Sequence, residues 1–61
     1  MCEANAYMID DGDERLIMES VDKIEPTDGG LRLVSIYGEQ KFIQASVHTL
    51  ELVEHKILLK P

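Results

Sequence analysis

Turn signals break this chain into short apolar runs, at intervals that suit a small all-β fold. The run over residues 2–9 alternates with period two, because positions 2, 4, 6 and 8 hold Cys, Ala, Ala and Met while positions 3 and 5 are polar. This alternation predicts a strand with Cys2 on its more apolar side. Residues 10–13 follow as a predicted turn, in which Gly12 can adopt a positive φ.

Four more strands are predicted downstream, over residues 31–37, 40–43, 49–53 and 56–59. Residues 27–30 carry two glycines after an aspartate, and they form the strongest turn signal of the chain. Gly38-Glu39 is predicted as a two-residue hairpin turn with glycine at its first central position. Glu54-His55 is predicted as a tight connection between the last two strands.

Residues 15–25 fit two patterns. Leu16 and Met18 alternate as in a strand, whereas Ile17, Val21 and Ile24 also fit one face of a helix. Pro26 ends the segment in either case. We interpret this segment as a bent strand with an irregularity near Ser20.

Five or six short strands in 61 residues must close on themselves or expose their edges. We therefore predict one domain over residues 1–61, an all-β fold of the small SH3-like or Sm-like barrel type. A chain of this length buries only about 60% of the surface that its unfolded form exposes. Cys2 is the only cysteine, so the chain has no disulfide pair, and we expect a homodimer. The apolar residues Ile57-Leu58-Leu59 lie on both faces of their strand, which is therefore buried on both sides or covered by another chain.

The charge balance disfavours nucleic-acid binding. Twelve acidic residues against six basic ones give a net charge of −6, and the basic residues are scattered rather than gathered in a stripe. The start of the chain has no basic segment followed by an apolar one, and no apolar run approaches the roughly 18 residues of a membrane-spanning helix. A single free cysteine fits a reducing compartment. A cytoplasmic protein without membrane or nucleic-acid partners is the expectation.

Cys2 is the most suggestive position for chemistry. If Met1 is removed, Cys2 offers an α-amine and a thiolate that together close a five-membered chelate ring. Nitrogen with thiolate suits a square-planar site, and among divalent metals that favours Ni(II) or Cu(II). One cysteine supplies two such donors, whereas a two-fold axis between two Cys2 residues would supply four. The alternative is that Cys2 is a small apolar residue at the end of a strand.

Other candidate positions favour simpler interpretations. His48 and His55 are imidazole donors without a neighbouring histidine or cysteine in sequence, and we interpret both as solvated residues of loops. The acidic group around Gly12 is too short for a calcium loop and is interpreted as a soluble hairpin tip. No nucleophile elbow, phosphate loop or dinucleotide motif is present, so the chain is not expected to be an enzyme. The aromatic residues are interpreted as core or interface rather than as base-stacking groups; they are Tyr7, Tyr37 and Phe42.

Residues 1–7, 21–26 and 31–42 together resemble the CooT family of small nickel-binding proteins. The Met-Cys start on a predicted strand, in a chain of barrel-forming length, is the most specific part of this resemblance. The resemblance implies a cytoplasmic homodimer that binds Ni(II) through Cys2 at its interface. It also implies a role in the maturation of nickel carbon monoxide dehydrogenase, with that enzyme or its maturation factors as partners. An Sm-like RNA-binding module and a ligand-free interaction domain are the alternatives.

Overall fold

The computed structural model describes residues 3–61, and these residues form a single six-stranded sheet. The sheet order is β4-β3-β2-β1-β6-β5, with β1 and β6 parallel and the other neighbours antiparallel. This confirms the prediction of a small all-β, barrel-like fold, although the predicted start of the first strand at Cys2 lies outside the described residues. No helix that could span a membrane occurs within residues 3–61. The strands are β1 Ala4–Asp10, β2 Asp13–Thr27, β3 Gly30–Ser35, β4 Gln40–Ile43, β5 Ser46–Glu51 and β6 Lys56–Lys60.

The long strand β2 bends at Ser20 and so serves two neighbours. Its first part pairs with β1 and its last part with β3, and the register shifts on both sides of the bend. Ser20 lies in the left-handed region, with φ of 54°. A residue in that conformation interrupts the pleat and turns the strand, as in a β-bulge. The predicted bent strand with an irregularity near Ser20 is therefore confirmed, but it continues through Pro26 to Thr27 instead of ending at the proline.

Two of the predicted turns have the conformation that their residues favour. Asp11 and Gly12 connect β1 to β2 with φ values of 52° and 85°, the two positive angles of a type I′ hairpin turn. Asp28 and Gly29 connect β2 to β3, and Gly29 has a φ of 84°. At the next position a Cβ atom on Gly30 would overlap the carbonyl oxygen of Ile43, so only glycine allows β4 to end this close to β3.

Two predicted segments were wrong in detail. Gly38-Glu39 is not a two-residue turn, because β3 ends at Ser35 and the connection to β4 covers residues 36–39. The buried Ser35 hydroxyl accepts hydrogen bonds from two amides of this loop and so stabilises the longer form. The strand predicted over 49–53 covers Ser46–Glu51 instead. Leu52 and Val53 lie in the following turn, where they are 77% and 92% exposed.

The core lies between the strands on one side of β1 and β6. It consists of Ala6, Met18, Leu33, Ile57 and Leu59. Strand β6 runs in the interior of the sheet, between β1 and β5, and Leu58 on its other face is also buried. Of the two alternatives for this strand, burial on both sides within one chain is the one observed. Strand β6 therefore offers no free interface, and the homodimer stays a prediction that must rest on another surface.

Candidate functional site

The start of β1 is the part of the described chain that lies nearest to Cys2 in sequence, since Cys2 itself lies outside the described residues. Ala4, Ala6 and Met8 pack in or against the core, as the period-two pattern predicted. Glu3 is exposed. Ala4, the first residue of β1, stands two positions after Cys2 in the sequence.

The turn that follows β5 lies beside the start of β1. The parallel pairing of β1 with β6 sets Asn5 opposite Lys56, and the Asn5 amide donates a hydrogen bond to the His55 carbonyl over 3.0 Å. His55 has a φ of 57°, and its amide donates to the Leu52 carbonyl over 3.3 Å. A cavity of about 280 Å³ opens here; its lining residues are Ala4, Glu51, Leu52, His55, Lys56 and Ile57.

His55 is therefore the histidine that the fold brings next to the strand preceded by Cys2. It is exposed in a turn, as predicted, but its neighbour across the sheet was not predicted. His48 is exposed as predicted, but it lies on β5 rather than in a loop, and its ring nitrogen Nδ1 is 2.7 Å from the hydroxyl of Thr49. Within residues 3–61 no group of three or more His, Cys, Asp or Glu side chains is arranged to hold a metal ion.

Asn5 holds the start of β1 against the bend of β2. Its side-chain oxygen Oδ1 accepts a hydrogen bond from the Ser20 amide over 3.1 Å. That amide is displaced from the regular ladder by the bulge, so the asparagine supplies the acceptor that the strand cannot. Sequence reasoning missed this role, although an amide side chain in an otherwise apolar strand is a signal for it.

Lys56 connects the strand β6 to the outer face of β1. Its Nζ donates to a carboxylate oxygen of Glu14 over 3.2 Å and lies 5.1 Å from the centroid of the Tyr7 ring. The hydrogen bond and the charge of Glu14 raise the pKa of Lys56 above its ordinary value, and Tyr7 and Glu51 add to this effect. Tyr7 is thus a half-buried partner of a cation rather than a free stacking surface.

The acidic turn is a hairpin tip, as predicted. The backbones of Asp10 and Asp13 lie opposite each other in the antiparallel pair of β1 and β2, and the carboxylate of Glu14 forms a salt bridge with Lys56. The turn lies at the opposite end of β1 from Ala4. With about 3.4 Å per residue, the seven-residue strand sets the two ends roughly 20 Å apart. The acidic turn and Ala4, the first residue of β1, are therefore too far apart to belong to one metal site within a single copy.

Comparisons with known proteins agree on one family. Residues 1–60 match the family model described as CO dehydrogenase accessory protein CooT. The fold is similar to the crystal structure of a proposed CooT from Carboxydothermus hydrogenoformans, with 47% sequence identity and a TM-score of 0.91. That alignment covers 97% of this chain and 95% of the other. No curated protein matches the sequence. The chain belongs to the CooT family of CO dehydrogenase accessory proteins.

Proposed function

We propose that this protein binds Ni(II) as cargo through Cys2 at a homodimer interface and serves the maturation of CO dehydrogenase. The observation that carries the proposal is the family match, which extends over residues 1–60 and so includes the Met-Cys start. Membership of an accessory family supports a role beside the enzyme rather than a reaction of its own. The metal and its ligands are inferred from the chemistry of the chain.

The available donors support a site that is shared between two copies. Thiolate sulfur and amine or amide nitrogen suit square-planar Ni(II), and Cys2 offers both atoms. Within residues 3–61 no three His, Cys, Asp or Glu side chains lie close enough together to hold a metal ion. These residues of one copy therefore do not complete a four-coordinate site around Cys2. Two copies related by a two-fold axis near position 2 would complete a set of two sulfur and two nitrogen atoms.

An apolar surface next to the start of β1 supports such a dimer. Leu50, Leu52 and Val53 are 52%, 77% and 92% exposed, and Leu52 lines the same cavity as Ala4. A second copy that covers these side chains would remove them from water and bring the two chain starts together. Large apolar side chains of this kind contribute about 1.5–3 kcal/mol each when fully buried.

Nickel titration of the wild type and two variants tests the proposed ligand. Cys2→Ser removes the thiolate but keeps a small second residue, so removal of Met1 should be unchanged. We expect the wild type to develop a thiolate-to-nickel charge-transfer band that Cys2→Ser lacks. His55→Gln is the matched variant, because it removes an imidazole at the neighbouring turn and should keep the band. Equal nickel binding by wild type and Cys2→Ser would contradict the assignment.

Mass spectrometry under non-denaturing conditions tests the shared site. It should detect a dimer that has lost Met1 and carries one nickel ion per two chains. Leu52→Ser combined with Val53→Ser should shift the protein to monomer and weaken nickel binding. Phe42→Ser, an exposed apolar residue on β4, is the control that should leave the dimer intact. A monomer that binds one nickel ion per chain would refute the two-fold site.

The arrangement of charge speaks against the RNA-binding alternative. Of the basic residues, Arg32 is paired with Glu25 and Lys56 with Glu14. Tyr37 and Phe42, which lie on a loop and on β4, are exposed but belong to a chain with a net charge of −6. Binding of an RNA backbone would require a basic surface beside such aromatic groups. Salt-sensitive micromolar binding of RNA in a filter assay would revive that alternative.

A further inference from the structure

A second cavity lies between β2 and the loop 36–39, apart from the one beside Ala4. Its volume is about 320 Å³, near the lower end of the roughly 300–1,000 Å³ that ligand sites usually have. This volume is enough for one long side chain of a partner protein. We call it the Tyr37 cleft; its lining residues are Leu16, Ile17, Met18, Glu19, Tyr37, Glu39, Gln40 and Lys41.

The aromatic wall of the Tyr37 cleft stands on an ordered loop. The Ser35 amide donates to the Glu39 carbonyl over 2.9 Å, and the Gly38 amide donates to the Ser35 carbonyl over 3.0 Å. The Ser35 hydroxyl accepts from the amides of Tyr37 and Glu39 over 3.1 and 3.2 Å. The Ile36 amide donates to the carbonyl of Ser20 over 2.9 Å. These five bonds fix the backbone of Tyr37, so a docking partner needs to order little more than the ring itself.

Tyr37 is nevertheless 76% exposed. A tyrosine held on a fixed backbone but left in water has the features of a residue that dominates a protein interface, because tyrosine is enriched among such residues. The half-exposed Leu16 extends the apolar surface of the cleft beside it.

The charges of the cleft define the partner that it fits. Glu19 and Glu39 contribute two carboxylates, while the Lys41 ammonium donates to the Ile17 carbonyl over 3.0 Å. One net negative charge remains, so phosphate and carboxylate ligands are repelled and a single cation is attracted. A guanidinium group suits both the aromatic ring and the carboxylates of the cleft, since its flat face stacks on a ring and its N–H groups donate hydrogen bonds to carboxylates.

We infer that the Tyr37 cleft docks an exposed arginine side chain of a partner protein, with the guanidinium stacked on Tyr37 and bonded to the carboxylates of Glu19 and Glu39. Lysine fits less well, because its ammonium is a point charge without a flat face. This docking surface does not depend on Cys2, so it stands or falls separately from nickel binding.

Titration with capped amino acids, followed by NMR of the backbone amides, tests the chemistry of the cleft. The probes are N-acetyl-arginine amide and N-acetyl-citrulline amide, which have nearly the same shape but differ in charge. We expect the arginine probe to shift the amides of residues 16–19 and 37–41. Citrulline should bind about tenfold more weakly, because it lacks the charge-assisted bonds. Equal binding of the two probes, or no shift of these amides at the highest soluble concentration of the arginine probe, would overturn the inference.

Matched variants locate the binding surface. Tyr37→Ala and Glu39→Gln should each weaken the arginine probe about tenfold or more, whereas Tyr37→Phe should retain stacking. Phe42→Ala and Glu54→Gln remove an exposed aromatic ring and an exposed carboxylate elsewhere, and both should bind the probe as the wild type does. Equal losses in Phe42→Ala and Tyr37→Ala would overturn the inference. A further experiment concentrates the protein without any probe. If the same amides then shifted in the wild type but not in Arg15→Gln, the cleft would be occupied by Arg15 of a second copy, and the inference would also be overturned.

Discussion

Replacement of Ser35 by alanine should destabilise the protein by removing one hydroxyl. Ser35 is 2% exposed, and its oxygen accepts two amide hydrogen bonds from the loop that carries Tyr37. Each such bond contributes about 0.5–1.5 kcal/mol net, so the two together amount to about 2 kcal/mol. A chain of 61 residues has a free energy of unfolding of roughly 3–9 kcal/mol in total. The variant should therefore still fold, with a free energy of unfolding about 2 kcal/mol lower than that of the wild type.

Thermal and urea unfolding at a fixed protein concentration would measure this loss. For a domain of this size, 1 kcal/mol corresponds to about 8 °C in Tm, so Ser35→Ala should melt roughly 15 °C lower. Hydrogen exchange adds a local measurement, because the amides of Tyr37 and Glu39 should exchange faster while those of the core strands change less. Ser46→Ala is the control, since it removes an exposed serine hydroxyl from the start of β5. If both variants melted within 2–3 °C of the wild type, a difference of only a few tenths of a kcal/mol, the hydroxyl would not stabilise the loop as argued.

Three further variants or conditions test other parts of the reasoning. Replacing a strand glycine by alanine usually adds about 0.5–1 kcal/mol of stability. Gly30→Ala should instead destabilise the fold, because the added Cβ overlaps the Ile43 carbonyl oxygen, and an unchanged or higher urea midpoint would contradict this contact. Glu14→Gln should lower the pKa of Lys56, which NMR of the lysine side chain would measure. Because the folded state raises this pKa, the ion pair contributes its full stability at neutral pH, and that contribution is lost as the pH rises through the pKa of Lys56. If Cys2 is the nickel ligand, nickel affinity should fall steeply between pH 8 and pH 6, because a thiol with an ordinary pKa of about 8.5 has to lose its proton to bind the metal. Calorimetry that gave equal affinities at both pH values would favour a carboxylate site instead.

Local chemistry explains which parts of the fold could be predicted from the sequence. The turn at Asp11 and Gly12 and the turn at Gly29 were predictable, because residues that tolerate positive φ stand between alternating strands. The bend near Ser20 was also predictable, since the apolar residues change parity there and a regular strand could not bury them all.

Long-range contacts explain what could not be predicted. Nothing in the sequence indicates that Asn5 lies opposite Lys56 in a parallel pair, and that pairing is what brings His55 to the start of β1. Leu52 and Val53 extend an apolar run, and periodicity alone cannot distinguish a buried strand from an exposed apolar turn. The Tyr37 cleft depends on a serine that prefers to bond the loop amides, and this preference competes with the hairpin that Gly38 would otherwise favour.

The two surfaces proposed for binding lie at the same end of the sheet. The His55 carbonyl accepts from the Asn5 amide, the Asn5 side chain accepts from the Ser20 amide, and the Ser20 carbonyl accepts from the Ile36 amide. This series of three hydrogen bonds leads from the turn beside the start of β1 to the residue that precedes Tyr37. A partner held at the Tyr37 cleft would therefore be connected by these bonds to the start of β1, the strand that follows Cys2 in sequence. If Cys2 binds nickel as proposed, an acceptor protein held at this end of the sheet would receive the ion by direct exchange of ligands, without its release into water.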